Sequence, residues 1–404
     1  MVKMVSGLSK EIVEKISDYK YEPSWMREFR LKALEQFLRL PMPNFGPDLS
    51  GLNLEKLCYY TPSGARLTQK WEEVPGEVKE TFEHLGVPEA ERKFLAGIGA
   101  QYDSEMMYRS LRESLAKQGV IFLSLDEAVK KHPDLVKEYL SKLVPISDNK
   151  FASLNAAVWS GGVFIYVPKG VKIEIPLQAY FRINAQLMGQ FERTIIIADE
   201  GSFLHYLEGC TAPLYSAAAL HSGVVEIFIK KGARLRYTTL QNWSKNVYNL
   251  VTKRAKIEEE GHLEWLDFNA GSKVTMKYPC FVLAGKGAKG EMLSLSFAGA
   301  SQYQDVGGKA VHEAPYTSSH IISKSLVKNG GISSYRGLVQ VKPQAKGAQA
   351  FVRCDALILD QQSRASSYPA LKIEQGDCKV AHEAVVSRVE KDQQIGRASC
   401  RERV

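Results

Sequence analysis

Five short segments share one pattern, a charged residue and a glycine ahead of an alternating apolar run: "KGVKIEI", "EGSFLHY", "KGARLRY", "EGHLEWL" and "KGEMLSL". Their glycines, Gly170, Gly201, Gly232, Gly261 and Gly290, recur about every 30 residues. A period of that length marks a repeat architecture, in which stacked neighbours share one core that no unit could bury alone. The intervals hold short runs with period-two alternation, such as "RTIIIAD" and "VVEIFIK", and no helical stretch. Two or three strands per period without a helix predict a β-helix, a solenoid of stacked coils. A β-sandwich needs no such regular glycine spacing and is the weaker alternative.

The repeat texture begins near residue 151. Ahead of it, "SWMREFRLKALEQFLRL" places Trp25, Met26, Phe29, Ala33, Phe37 and Leu38 at helical spacing, with Ser24 as N-cap. A second helical stretch is expected from Glu89 to Gly119, and Ser124 with Glu127 fits a capping box. The predicted class is mainly β with α. Residues 1–150 form a mostly helical region, 151–385 the β-helix core, and 386–394 the start of a truncated C-terminal helical region. Ile395 to Val404 lack apolar periodicity, and their back-translation resembles a sequencing-library adapter read in frame. We expect that tail to be an assembly artefact, with the native chain continuing past about Gln394.

Bulk properties exclude several classes. The six cysteines are scattered over 404 residues with no CxxC, which fits neither a disulfide framework nor a zinc knuckle. The net charge of +8 is spread out, so charge does not argue for nucleic acid. No apolar run reaches the length of a signal peptide or of a membrane span, so the cytoplasm is the expected compartment.

Two motifs imitate chemistry. "GKGAKG", Gly285 to Gly290, matches a dinucleotide fingerprint, but an alternating run follows it where a helix should open, so a solenoid turn is expected. "HEAPYTSSH" gathers His312, Glu313 and His320 without zincin spacing and reads as a solvated loop. Coil stacking then pairs residues one period apart. Cys210 should meet Gln241, and Cys354 should meet Glu383. In "CKVAHEAVV", Cys378 and His382 should share a strand face. Two candidate metal sites are left by spacing: Cys378 with His382, or Cys354 with Glu383.

The segments "NAAVWSGGVFIYVPKGVKIEIPLQAYFRIN", "HYLEGCTAP", "TTLQNWSKNVYNLVTKRA", "SSYRGLVQV", "FVRCDALI" and "HEAVVSRVEKDQ" together resemble the SufB/SufD family, and within it the SufB scaffolds of SUF iron–sulfur cluster assembly. The similarity runs from the N-terminal helices to Gln394. It implies a right-handed parallel β-helix between helical regions, paired end to end with SufD or a second SufB. It also implies the ATPase SufC as the site of ATP hydrolysis, and a cysteine desulfurase with its shuttle protein as the source of persulfide. On this resemblance the chain is a scaffold rather than an enzyme and carries a transient nascent iron–sulfur cluster. The family has been linked to reduced flavin (FADH2), though no flavin motif is legible.

Carried over by motif, Cys210 in "LEGCTAP" matches the persulfide entry thiol, and Cys354 in "FVRCDA" matches the sulfur acceptor and cluster ligand. Glu383 in "HEA" matches a carboxylate iron ligand, with His382 beside it. Gln241, Trp243 and Lys253 match residues lining a sulfur route. Cys378 matches no ligand position. The docking helices for SufC are largely missing, so this form is expected to bind SufC poorly. A SufD-like structural partner is the alternative, disfavoured by the presence of both thiols. A polysaccharide-active β-helix enzyme is the more distant one.

Overall fold

The computed structural model describes residues 5–61, 67–74, 76, 79, 80, 95–183, 188–212 and 218–389. Its core is a parallel β-solenoid of about seven turns. One face is a ten-stranded sheet running from Cys378–Arg388 through Ala348–Ile358, Ser318–Val327, Lys289–Ala298, His262–Gly271, Arg234–Trp243 and Phe203–Thr211 to Lys172–Arg182. The strand Gly97–Tyr102 and its antiparallel partner Glu105–Leu111 close that sheet at the N-terminal end. A thirteen-stranded sheet forms the opposite face.

Alternation sends every second side chain into the space between the sheets. On the second sheet, Ile196, Ile227, Ala255, Phe281, Ala310 and Val339 stack in register and are all buried. Each large one contributes about 1.5–3 kcal/mol by leaving water.

The repeated glycines serve the coil corners in two ways. Gly232 has φ +64 with nothing near a would-be Cβ, so the left-handed backbone itself requires glycine. Gly290 lies outside that region, but a Cβ there would meet the Phe281 ring at 2.6 Å. Corner backbones also hydrogen-bond from coil to coil: Gly170 N to Glu200 O, Gly201 N to Lys231 O and Gly232 N to Glu259 O, each 2.8 Å. The stretch Gly285 to Gly290 is one such corner leading into a strand, so it offers no helix N-terminus for a dinucleotide phosphate.

Ahead of the solenoid, helices and strands alternate. Helices Lys10–Tyr19, Ser24–Arg39 and Lys150–Val158 pack together. Pro23, not Ser24, is the N-cap of the second, and Ser24 makes no capping bond. Leu38 faces solvent, while Arg30 is buried and held by Glu22 at 2.6 and 2.8 Å. Ser124 does cap the helix Leu125–Lys131, accepting from Glu127 N at 3.2 Å.

Helix was expected through Glu89 to Gly119, but its described part is largely the hairpin Gly97–Tyr102/Glu105–Leu111, with only Glu113–Ala116 helical. The hairpin wins because Gly97–Tyr102 pairs with Lys172–Arg182 and prolongs the solenoid sheet. At the other end the last strand continues to Arg388, so residues 386–388 belong to the core sheet. The expected tail, Ile395 to Val404, and residues 390–394 lie outside the described residues.

Candidate functional site

Three rows of inward side chains run along the ten-stranded sheet. One is apolar or aromatic for most of its length: Tyr206, Tyr237, Trp265, Met292, Ile321 and Val352, ending at His382. The next bears an oxygen or sulfur at each step: Glu208, Thr239, Asp267, Ser294, Ser323 and Cys354. The third starts as Cys210, Gln241, Asn269 and Ser296. All ten members of the two polar rows are buried.

Cys210 faces Gln241 across the strand pair, as coil stacking predicts. Lys253 reaches in from the opposite sheet and donates to Glu208 Oε1 at 2.6 Å and to Tyr237 OH at 2.5 Å. Tyr237 in turn donates to Glu208 Oε2 at 2.8 Å. Burial opposes the Lys253 charge, but Glu208, Asp267 and Cys210 outweigh it and hold its pKa above the usual lysine value. One coil further, Lys277 is ion-paired with Asp267 and donates to Asn269 Oδ1 at 3.1 Å. Here burial wins, and the Lys277 pKa is lowered despite Asp267.

Trp243 is buried and packs on His221, ring centroids 4.4 Å apart. Cys210, Gln241, Trp243 and Lys253 therefore share one buried polar neighbourhood. Its thiol is not the accessible, low-pKa group expected of a persulfide acceptor. Cys210 is fully buried, and burial, reinforced by Glu208 and Glu192, raises its pKa well above normal.

Cys354 lies one coil from the C-terminal end of the sheet. Burial pushes its thiol up to about 11, opposed by the Ser367 hydroxyl. Its expected pairing with Glu383 is absent. The register sets Cys354 against Ala384, and Glu383 against Arg353 on the outer face. On this sheet the step from coil to coil varies from 27 residues (Asn269 to Ser296) to 31 (Cys210 to Gln241), and a one-residue difference turns a side chain to the other face. The inward neighbour is His382, opposite Val352, two positions from Ala384. The His382 ring stacks on Tyr335 at 6.4 Å, and burial lowers its pKa. Neither His382 Nε2 nor Tyr335 OH has a hydrogen-bond partner among the described residues.

Cys378 does share the inward face with His382, but it lies opposite Ala348, and its Sγ donates to Gln375 O at 3.1 Å. His312 is buried between Thr317 and Ser319 at 2.8 and 2.9 Å, where a solvated loop was expected. Among the described residues no group of three or more His, Cys, Asp or Glu side chains could hold a metal ion. No helix there is long and apolar enough to cross a membrane.

Residues 181–394 match the family model described as SUF system FeS cluster assembly, SufBD core domain, and residues 15–179 match the SufBD protein N-terminal region. The chain belongs to the SufBD family. It is similar to the iron–sulfur cluster assembly protein SufB of Bacillus subtilis (strain 168), 54% identical over 387 residues, which cover 96% of this chain and 83% of that protein. Iron–sulfur cluster assembly SufBD family proteins of Staphylococcus haemolyticus (strain JCSC1435) and Staphylococcus aureus (strain MRSA252) match at the same identity and coverage. SufBD membership makes this an iron–sulfur assembly scaffold family protein and removes the polysaccharide-active reading.

Sequence reasoning missed the middle of the polar rows, Thr239, Asp267, Asn269, Ser294, Ser296 and Ser323, and with them Lys277, which reaches in from the opposite sheet. A signal was present. In "EMLSLSFA" and "HIISKSLV" the serines fall where the inward alternation calls for apolar residues.

Proposed function

We propose that this SufBD chain is the SufB-type subunit, taking up persulfide sulfur at Cys210 and building a nascent iron–sulfur cluster at Cys354. The observation that carries this is the pair of buried polar rows spanning the coils between the two thiols. Five strand spacings of about 4.8 Å separate them, on the order of 24 Å, too far for direct thiol exchange, so the polar interior is the link. Uptake moves sulfane sulfur from a donor persulfide to the Cys210 thiolate. The donor S–S bond breaks as the new one forms, and the donor leaves as a thiolate.

The cluster is cargo, and this chain supplies Cys354, with His382 on the same inner face, as half a ligand set. A second subunit, SufD or another SufB, completes the set end to end. The last strands, Arg364–Ile373 and Cys378–Arg388, present exposed Leu371, Ile373, Val385 and Val386 at that end. In this reading SufC hydrolyses ATP, and a cysteine desulfurase with its shuttle protein delivers sulfur. Two thiols joined by a polar interior favour this over a SufD-like role.

The test is anaerobic reconstitution of the full chain with its partners, comparing Cys354→Ala with Cys378→Ala. Cluster yield should collapse in the first and persist in the second. Equal yield from wild type and Cys354→Ala would overturn the assignment.

A further inference from the structure

Beneath Cys210 lies a buried hydrogen-bonded file that ends on its strand neighbour. Glu192 Oε1 meets His221 Nε2 at 2.5 Å, and His221 Nδ1 meets Asn249 Oδ1 at 2.6 Å. Asn249 Nδ2 donates to Gln241 Oε1 at 2.8 Å. All four residues are at most 2% exposed.

The directions of these bonds are linked. Because Asn249 gives its amide N–H to Gln241, its carbonyl oxygen faces His221, and Nδ1 of the ring must carry the proton. Because Gln241 accepts through its oxygen, its own amide nitrogen is left as a donor. That Nε2 has no partner among the described residues, and Gln241 is paired with Cys210 on the inner face. The Trp243 indole N–H is likewise unpartnered, and its ring lies against the same His221. Gln241 stands directly across the strand pair from Cys210, and Trp243 follows two positions on along the same inner face, so an anion on that sulfur is the acceptor the two free donors could share.

We propose that His221, oriented by Glu192 and acting through Asn249, is a positioning residue that holds the Gln241 amide and the Trp243 indole N–H toward a sulfur anion on Cys210, thiolate or persulfide. The inference rests on the sulfur-entry reading of Cys210. It supplies what that reading otherwise lacks, since the thiol is surrounded by low-dielectric packing and by Glu208 and Glu192. Lys253 and Lys277 are the cations facing it, and Tyr206, Tyr237, Tyr180 and Phe181 also lie around it. Two N–H donors stabilise a sulfur anion there without adding charge to a core whose lysines are already paired.

The test is the pH titration of the Cys210 thiolate in the full chain, read without a reagent as the thiolate ultraviolet absorbance that is lost when Cys210→Ala is added to each form, because the thiol is buried. His221→Phe keeps a ring against Trp243 but breaks the file, Asn249→Leu cuts its middle link, and Gln241→Met removes the donor itself. Each should move the profile midpoint up by about one pH unit, the size of one lost hydrogen bond to an anion. Leu283→Ala, a core substitution outside the file, controls for general loosening and should leave the midpoint in place. A wild-type midpoint in any folded variant of the three overturns the proposal, and so does an equal shift in Leu283→Ala. Loading with a polysulfide donor is scored separately. Failure of wild-type Cys210 to take up sulfane sulfur would sink the entry reading, while the midpoint shift still judges the file.

Discussion

Cys354 and Glu383 lie on opposite faces of the last two coils, the thiol toward Ala384 inside and the carboxylate toward Arg353 outside. A single chain therefore cannot bring both to one metal atom through this strand pair. In the isolated chain, Glu383→Ala should leave the alkylation rate of Cys354 within twofold of wild type. In the assembled complex, the same substitution should lower cluster yield, read by visible absorption. Loss of Cys354 reactivity in the isolated variant would contradict the register.

Lys253 and Glu208 form a buried pair in the core. Removing one charge leaves the other unpaired, so Lys253→Met should cost about 3–5 kcal/mol in denaturant unfolding. The double variant with Glu208→Gln should recover most of that stability, because both charges are gone. It should still transfer sulfur poorly. A double variant no more stable than Lys253→Met alone would show that packing, not charge, sets the loss.

The serine steps separate conduction from stability. Ser323→Ala removes a small buried hydroxyl between Ser294 and Cys354 and should cost about 1 kcal/mol or less. Labelled sulfur should then accumulate on Cys210 and reach Cys354 several-fold more slowly. Unchanged transfer in Ser294→Ala and Ser323→Ala together would remove the polar rows from the pathway.

Cys354 and Cys280 each have thiols pushed up to about 11 by burial, against 9.0 for the unperturbed group. Both remain neutral in the folded chain while ionising in the unfolded one between those values. The unfolded state then binds fewer protons, so stability falls as pH rises from about 9 to about 11. The unfolding midpoint should drop across that window. Cys354→Ala should drop less steeply, and a parallel decline would refute the contribution of this thiol.

Much of the fold was legible because turn chemistry repeats. Gly170, Gly201 and Gly232 mark corners by a backbone demand that few other residues meet. The Cys210–Gln241 contact followed from the same period. The Cys354–Glu383 contact did not, because period-two alternation converts a one-residue error in coil length into the wrong face. The hairpin at Gly97–Tyr102 was missed for a different reason: its strand character comes from an edge supplied by Lys172–Arg182, whose paired residues lie 80 positions on (Gly97 with Leu177). The His221 file was invisible in sequence, since its four members come from four separate strands or approaches to strands.

Among the described residues, the last coil has a neighbouring coil on one side only. Strands Arg364–Ile373 and Cys378–Arg388 each pair with a single preceding strand, whereas the strand of Cys210 is clamped from both sides. In a stack held by nearest-neighbour contacts, fraying one end unit breaks one interface and leaves the rest intact. Solvent thus reaches Cys354 by local breathing of the end coil, while uncovering Cys210 demands a much deeper excursion. Amide hydrogen exchange should accordingly slow stepwise from Cys378–Arg388 toward Phe203–Thr211, a kinetic gradient that leaves one thiol exchange-labile and the other sequestered.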